Sequence, residues 1–337
     1  MLDVAAVAGV GLKTVSRVIN GEPNVSEHLA RKVMEAVEQL DYEHNVNAAN
    51  LKRGDGRTNT IGLLVGSVAN PFASAMHYAI EVEARKRGII VFAASLDDDP
   101  DREQAVARAF LRRRVDGLIL TPAAANQSYL LPELGRGTPI VFVDREPTGL
   151  SAPTVASENR AGAAEATRHL LGYGHRRLAF VGKRLDMQTG RERLQGFLDA
   201  VGDVGLDSRE TLVHTGVGDI ETAQQVVGGL LDGERPPTAI FAGQNLCAIG
   251  AVRALHERGL QHQVALVGFD EFSLADLLSP GVTVVAQDPA EIGRRAAELV
   301  FAKLDGMPTE ATTVRIPMRL IERGSGEILP PESGTAS

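Results

Sequence analysis

From residue 60 onward, short apolar runs alternate with amphipathic segments of helical length, and the whole alternation occurs twice. In the first array, continuous apolar runs predict buried parallel strands at 61–65, 89–93, 117–120 and 140–143. The segments between them predict helices at 72–87, 101–114 and 126–136. The second array predicts strands at 178–181, 212–214, 239–242 and 265–269, with helices at 159–172, 190–201, 220–232 and 246–258. Two such arrays predict two doubly wound α/β lobes, each built on a parallel sheet.

Two later apolar segments, 282–286 and 314–317, are expected to carry the chain back between the lobes. Lobes that share several crossovers form a hinge with a cleft, and open parallel sheets bind ligands beyond the carboxyl ends of their strands. Polar side chains occupy this position after several predicted strands: Asn70, Asp144, Arg145, Gln244, Asn245, Asp270 and Glu271. Each has an ordinary alternative as a helix cap or a surface charge. Their equivalent positions on two facing lobes nevertheless predict a ligand site in the cleft.

The first 40 residues have a different pattern, with three short helices and a tight turn. Residues 3–8 can form one helix, Gly9 to Gly11 make the turn, and a second helix turns Val15, Val18 and Ile19 inward. A third helix is expected to start with Ser26 as N-cap. Its apolar stripe comprises Leu29, Val33, Val37 and Leu40. This pattern predicts a helix-turn-helix head. The outward face of its second helix offers donors for phosphates and base edges: Lys13, Thr14, Ser16 and Arg17.

The head sequence resembles that of the lactose-repressor (LacI/GalR) family of bacterial transcription regulators. The resemblance is carried by Val4-Ala5, Ala8-Gly9-Val10, Thr14-Val15-Ser16-Arg17-Val18-Ile19-Asn20-Gly21 and Asn24-Val25-Ser26, and it continues along almost the whole chain. It implies a helix-turn-helix head before an α/β core like that of periplasmic binding proteins. It also implies that Leu12, Lys13 and Arg17 read base edges. Asn20, Asn24 and Ser26 are then expected to contact backbone phosphates.

Residues 42–57 connect the head to the core, and their composition alone favours a flexible linker. Residues 45–51 could also form two helical turns, which are unstable alone because isolated helices below about 12–15 residues are marginal. The resemblance implies a hinge helix that forms when two copies pair on DNA. Leu51 then opens the minor groove and Ala48 faces the partner. His44 and Ala49 depart from the family, which has Pro and Arg there.

The expected domains are a head with its hinge helix at 1–56 and an effector-binding and dimerisation core at 57–337. Lobe 1 is expected at about 60–158 plus 288–316, and lobe 2 at about 159–287 plus 317–330. The resemblance implies that a set of cleft residues contacts the effector: Phe72, Asp144, Thr189, Arg193, Gln244 and Asp270. An arginine fork and a carboxylate can each hold vicinal hydroxyls at two points. Ala73 replaces a frequent second Phe of the family, and fewer aromatic faces favour a small, hydroxyl-rich effector such as a monosaccharide.

Composition excludes several classes of protein. The sequence has no run of 18 apolar residues, so we expect no membrane span. Its first residues lack the pattern of a secretion signal, so we do not expect secretion. The single cysteine, Cys247, fits a reducing cytoplasm. Residues 1–57 hold seven Lys and Arg against eight Asp and Glu, so the net charge of −8 lies mostly on the core. Modest non-specific DNA affinity with a steep salt dependence is therefore expected.

The sequence contains no set of catalytic residues, no phosphate-binding loop and no metal-ligand cluster. The run Asp97-Asp98-Asp99 is interpreted as helix-capping acids. We therefore expect a cytoplasmic, non-enzymatic transcription repressor without a cofactor that binds a pseudo-palindromic operator as a homodimer. A sugar effector that binds between the two lobes is expected to change its operator affinity. The residues after 323 lack heptads, so they do not indicate a coiled-coil tetramer. The alternatives are a sugar-binding receptor without a DNA role and an α/β enzyme with an appended DNA head.

Overall fold

The computed structural model describes residues 1–19, 22–23, 25–42, 57–207 and 211–331. It divides into two compact units, Met1–Asn59 and Thr60–Ser337.

The first unit contains three helices, α1 (Leu2–Ala8), α2 (Leu12–Ile19) and α3 (Glu27–Gln39). Gly9 ends α1 in the left-handed region with φ 62°, where glycine carries no steric penalty. The small core holds Val4, Ala8, Val15, Val33 and Ala36, and the predicted helix-turn-helix head is confirmed.

Two details of the third helix differ from the sequence prediction. Leu40 is 38% exposed because α3 ends at Gln39, and Ala36 takes its expected place in the core. Ser26 occupies the predicted N-cap position, but its side chain makes no capping hydrogen bond.

The second unit has two α/β lobes. The first-lobe strands are β1 (Thr60–Val65), β2 (Ile90–Ser95), β3 (Gly117–Leu120), β4 (Ile140–Val143), β5 (Thr154–Ser157) and, late in the chain, β11 (Thr313–Ile316). They form a parallel sheet in the order β11-β5-β4-β3-β1-β2. Its helices are α4 (Pro71–Arg85), α5 (Pro100–Arg112), the short α6 (Leu131–Gly135) and α11 (Pro289–Leu304). Apolar clusters cover both faces of the sheet, as its buried runs require.

The second lobe repeats this plan. Its strands are β6 (Leu178–Val181), β7 (Leu212–His214), β8 (Ala239–Ala242), β9 (Ala265–Phe269), β10 (Thr283–Ala286) and β12 (Arg319–Ile321). The sheet order is β12-β10-β9-β8-β6-β7, and β12 alone runs antiparallel to its neighbour. The helices are α7 (Asn159–Gly172), α8 (Gln188–Asp203), α9 (Ile220–Leu231) and α10 (Asn245–Glu257). The predicted fold class, a helix-turn-helix head plus two doubly wound lobes, is confirmed.

The chain passes between the lobes after β5, after β10 and after β11. The predicted return segments are therefore strands within the sheets, and the crossings follow them. The expectation that the second run of the first array is buried was wrong. This run forms β2, an edge strand on which Ile90 is 61% and Phe92 45% exposed. Among the described residues, no helix is both long and apolar enough to cross a bilayer.

Candidate functional site

A cavity of about 330 Å³ lies between the two lobes of the second unit. Its walls come from segments that follow strands of both sheets, including Gly66 after β1, Thr121 after β3 and Lys183 after β6. This is the position at which open α/β sheets bind ligands. Phe72, at the start of α4, is the one aromatic side chain among the described residues that line it.

Two aspartates at strand ends share an unusual backbone conformation. Asp144 follows β4 with φ 66° and Asp270 follows β9 with φ 71°, both in the left-handed region that costs non-glycine residues of order 1–3 kcal/mol. The N–H groups of Asp144 and Asp270 still donate to the neighbouring strands, at Val155 O and Val285 O, each at 2.9 Å. The sheets therefore fix the points at which the chain turns and place both carboxylates in the cavity wall.

Arg193 on α8 is a buried cation held from several sides. Its Nε donates to Asn159 Oδ1 at 2.9 Å, and its Nη1 donates to the Gly243 carbonyl at 3.0 Å. The guanidinium lies 3.7 Å from the Phe269 ring centroid, and Nη1 lies 3.6 Å from Asp270 Oδ2. Burial raises the pKa of Asp270, and the charge of Arg193 opposes that rise. The pair is therefore oriented before any ligand binds.

A glycine lets α8 approach α7 closely enough to build this arrangement. A Cβ atom at Gly196 would lie 2.1 Å from the Arg160 carbonyl oxygen on α7. Because Asn159 begins α7 and Arg193 lies in the second turn of α8, the close contact brings the two side chains together. A larger residue at Gly196 would force these helices apart.

Three buried polar atoms of cavity-lining residues have no hydrogen-bond partner among the described residues: Arg145 Nε, Gln244 Oε1 and Gln287 Oε1. Arg145 Nε lies 3.6 Å from Asp144 Oδ2, which is an ion-pair contact but longer than a hydrogen bond. Leaving such atoms unpaired costs about 1–3 kcal/mol each, so natural proteins rarely do so without a reason. One donor and two acceptors that line the same cavity can bind a ligand rich in hydroxyl groups, because a hydroxyl both donates and accepts.

The carboxylate of Asp98, in the loop after β2, connects the two lobes. It accepts from Arg145 Nη1 of its own lobe and from Lys183 Nζ of the other lobe, each at 2.9 Å. Burial alone would raise the pKa of Asp98, but the charges and hydrogen bonds of Arg145 and Lys183 lower it from 3.8 to about 2.

We predict that Asp98→Asn destabilises the protein in a pH-dependent way. Since the folded pKa lies below the ordinary value of 3.8, the carboxylate stabilises the fold fully above that value and ceases to do so as pH falls through about 2. The difference in unfolding free energy between wild type and variant should be about 2 kcal/mol at pH 6 and roughly half of that at pH 3. Urea titrations at both pH values measure it. The control is Asp97→Asn, at an exposed neighbour whose partner is Arg102. Equal differences at both pH values would contradict the prediction.

The structure brings together all six predicted effector residues in the cavity wall: Phe72, Asp144, Thr189, Arg193, Gln244 and Asp270. Lys183 and Gln287 also line the cavity and were not predicted, although both follow strands and the same strand-end rule points to them. The interpretation of Asp98 as a helix-capping acid was wrong. Only Asp99 of that run caps α5, by accepting from the N–H groups of Asp101 and Arg102.

In the head, Leu12 and Lys13 are exposed, and Thr14, Ser16 and Arg17 are partly exposed on α2. Arg17 Nε lies 3.3 Å from Glu22 Oε2, and its Nη2 donates to the Pro23 carbonyl at 3.4 Å. Ser26 is exposed at the start of α3. The remaining predicted DNA contacts lie outside the described residues: Asn20, Asn24, Ala48 and Leu51.

Comparison with known proteins assigns both parts of the chain. Residues 1–45 match the family of bacterial regulatory proteins of the lacI type, and residues 58–324 match the periplasmic binding proteins and sugar binding domain of the LacI family. The chain is 31% identical to the transcriptional repressor PurR of Aliivibrio salmonicida, over 90% of this chain and 91% of that one. It is 30% identical to the ribose operon repressor of Escherichia coli, over 96% of this chain and 99% of that one.

Among solved structures, the transcriptional regulator CelR in complex with cellobiose is similar, with a TM-score of 0.71 and 31% identity. The similarity covers 96% of this chain and 98% of that one. A helix-turn-helix head followed by a two-lobed binding core defines a DNA-binding transcription regulator. The chain belongs to the LacI family of these bacterial regulators. Because the matched relatives are regulators over both parts of the chain, neither an enzyme nor a receptor without a DNA role fits it.

Proposed function

We propose that this protein is a cytoplasmic repressor that binds a pseudo-palindromic operator as a homodimer and responds to a carbohydrate in the cleft. The observation that carries the proposal is the buried Arg193–Asp270 pair in the cavity wall of a chain that also has a helix-turn-helix head. The relatives that are named repressors support the proposed repression of transcription, and the cellobiose complex of CelR supports a carbohydrate as the ligand.

A carbohydrate suits the chemistry of the cavity. Carboxylates such as Asp144 and Asp270 accept from pairs of hydroxyls, and the guanidinium of Arg193 donates to their oxygens. Gln244 and Thr189 supply further polar groups, and Phe72 can cover one apolar face of a sugar ring.

For the DNA-binding surface, we propose that Leu12, Lys13 and Arg17 contact base edges in the major groove. Thr14 and Ser16 on the same helix add polar contacts. Further proposed contacts to phosphates are Asn20, Asn24 and Ser26. In the hinge segment, Leu51 is proposed to enter the minor groove, with Ala48 against the partner chain.

The exposed edge strand β2 suggests where two copies meet. Ile90 and Phe92 on β2 and Tyr78 on α4, which is 63% exposed, leave apolar surface on the first lobe. Exposed apolar edges promote pairing with another chain. We propose that this surface belongs to the dimer interface and that closure of the lobes alters it. An effector then changes operator affinity only if it prefers one closure state.

Phe92→Glu is therefore expected to weaken dimerisation at least about tenfold, because a charge replaces an apolar contact in both copies. Sedimentation velocity over a range of concentrations measures the change. The matched control is Val213→Glu on β7, the exposed edge strand of the second-lobe sheet. If both variants dimerise equally, the interface lies elsewhere.

The proposed binding of a pseudo-palindromic operator is tested by selection: the purified full-length protein selects sequences from a pool of random DNA duplexes. The expected result is an inverted repeat whose half-sites are recognised by the two heads of a dimer. Enrichment of a single unpaired site, or of no sequence at all, would contradict the proposal.

A further inference from the structure

We propose that the Asp98–Lys183 ion pair determines effector size and restricts the cleft to a ligand of one sugar ring. This inference rests on the proposed function, since it concerns the same cavity and a carbohydrate ligand. It assigns a specificity role to two residues that lie outside the six predicted contacts.

The two charged groups lie on opposite walls of the cavity. Asp98 follows β2 in the first lobe, Lys183 follows β6 in the second, and Asp98 Oδ2 accepts from Lys183 Nζ at 2.9 Å. Their side chains are 26% and 21% exposed, whereas those of Arg193 and Asp270 are 6% and 8% exposed. The ion pair is therefore more exposed to solvent than the buried pair, and it joins the two lobes directly.

The backbone around Asp98 holds its carboxylate in this position. Asp97 and Asp98 have φ values of 55° and 54°, two consecutive residues in the left-handed region. Gly66 leaves room for the carboxylate, since a Cβ atom there would lie 3.3 Å from Asp98 Oδ1. Arg145 Nη1 donates to Asp98 Oδ1 at 2.9 Å and also to the Pro122 carbonyl at 2.8 Å, so both the cation and the carboxylate are held in place. Asp98 is thus a rigid acceptor, and among the described residues it is the one hydrogen-bond partner of Lys183 Nζ.

Two further contacts close other parts of the gap. Asn70 and Asn245 exchange hydrogen bonds between their side-chain amides at 3.1 and 3.3 Å, and Gln188 Oε1 accepts from the Glu146 N–H at 2.8 Å. Asn70 also caps α4, so its place in the contact is fixed by the fold. Lys183 does not cap a helix. A single substitution at Lys183 therefore removes this contact between the lobes without disturbing a helix end.

The volume of the cavity suits a small ligand. At about 330 Å³ the cavity is at the lower end of the range for ligand sites, about 300–1,000 Å³. A second ring that extends from a bound sugar between the loops after β2 and β6 meets the ion pair, because it joins these two loops. If a longer ligand separates the pair, the half-buried Asp98 carboxylate loses the Lys183 cation of the other lobe. This loss costs free energy and therefore opposes the binding of longer ligands.

The test compares matched sugars on the full-length protein by isothermal titration calorimetry. The probe pairs are glucose with cellobiose, galactose with lactose, and xylose with xylobiose. Wild type is expected to bind the single-ring member of one pair at least tenfold more tightly than its extended partner. Lys183→Ala, with Lys183→Ser as a second variant, is expected to reduce that ratio to threefold or less. Arg184→Ala is the matched control, because the adjacent Arg184 pairs with Asp186 on the same loop and should leave the ratio unchanged.

The outcomes separate the two proposals. Equal binding of the single and extended sugars by wild type would overturn the size limit while leaving the carbohydrate effector in place. An unchanged ratio in folded Lys183 variants would overturn the role of the ion pair. Binding of none of the sugars would instead overturn the proposed carbohydrate response and, with it, the inference that depends on it.

Discussion

Replacing Asp270 with asparagine is expected to abolish the response to the effector while the protein remains folded and able to bind its operator. Asp270 is buried in the cavity wall, 3.6 Å from Arg193 Nη1. Asparagine has nearly the same shape, but only one of its two terminal atoms is an acceptor. It therefore cannot accept a hydroxyl hydrogen at both positions, as a carboxylate can. The substitution also leaves the charge of Arg193 buried without its counter-charge. That effect lowers the stability of the free protein, whereas the loss of affinity comes from the lost contacts to the ligand. A hydrogen bond to a charged group contributes about 1.5–3 kcal/mol, so losing one lowers the affinity between about tenfold and 150-fold.

Calorimetric titration with the sugar that wild type binds measures this loss. The matched control is Asp199→Asn on α8, because Asp199 pairs with Arg160 away from the cavity. That control changes the same charge and should retain the affinity for the sugar. If Asp270→Asn binds the sugar as tightly as Asp199→Asn does, the carboxylate is not an effector contact.

Replacing Arg17 with alanine is expected to remove sequence-specific operator binding and to leave sugar binding intact. In the free head, the Arg17 side chain is 38% exposed and its guanidinium lies beside Glu22. Exchanging that exposed carboxylate for a base edge costs little, because exposed ion pairs contribute about 0–1 kcal/mol. An arginine contact to guanine contributes about 1–3 kcal/mol of discrimination. With two heads on one operator, the specific affinity should fall by between about thirtyfold and 25,000-fold.

Arg31→Ala provides the control for this experiment. Arg31 is an exposed residue of α3 in the same head, so its loss changes the charge equally without touching the proposed reading surface. Fluorescence anisotropy with the selected operator and with a scrambled duplex separates specific from non-specific binding. We expect Arg31→Ala to weaken both modestly and equally. If Arg17→Ala behaves in the same way, α2 does not read the operator as proposed.

The sequence predicted the two sheets well because buried parallel strands are continuous apolar runs. It could not distinguish an edge strand from a central one. The run that forms β2 is as apolar as that of β1, and its exposure follows from the strand order alone. The strands β5 and β12 went unpredicted because both are short and carry polar residues, such as Thr154 and Arg319.

Residues of the candidate site were predictable where they closely follow a strand, because the end of the strand alone determines their position. Asp144, Gln244 and Asp270 each follow a recognisable apolar run and line the cavity. The pairing of Asp98 with Lys183 was not predictable in this way. These residues are 85 positions apart in the sequence, and their contact depends on how the two lobes face each other. The run of three aspartates also offered a simpler interpretation, which holds only for Asp99.

The most direct test of the central claim, that a ligand in the cleft sets operator affinity, uses the selected operator and a sugar that raises the melting temperature of the protein. The operator Kd of the full-length protein is measured by anisotropy with and without saturating sugar, for wild type and Asp270→Asn. We predict that the sugar changes the wild-type Kd at least about fivefold, within the usual range of allosteric coupling, and leaves that of the variant unchanged. A wild-type operator Kd that the bound sugar does not change would contradict the claim.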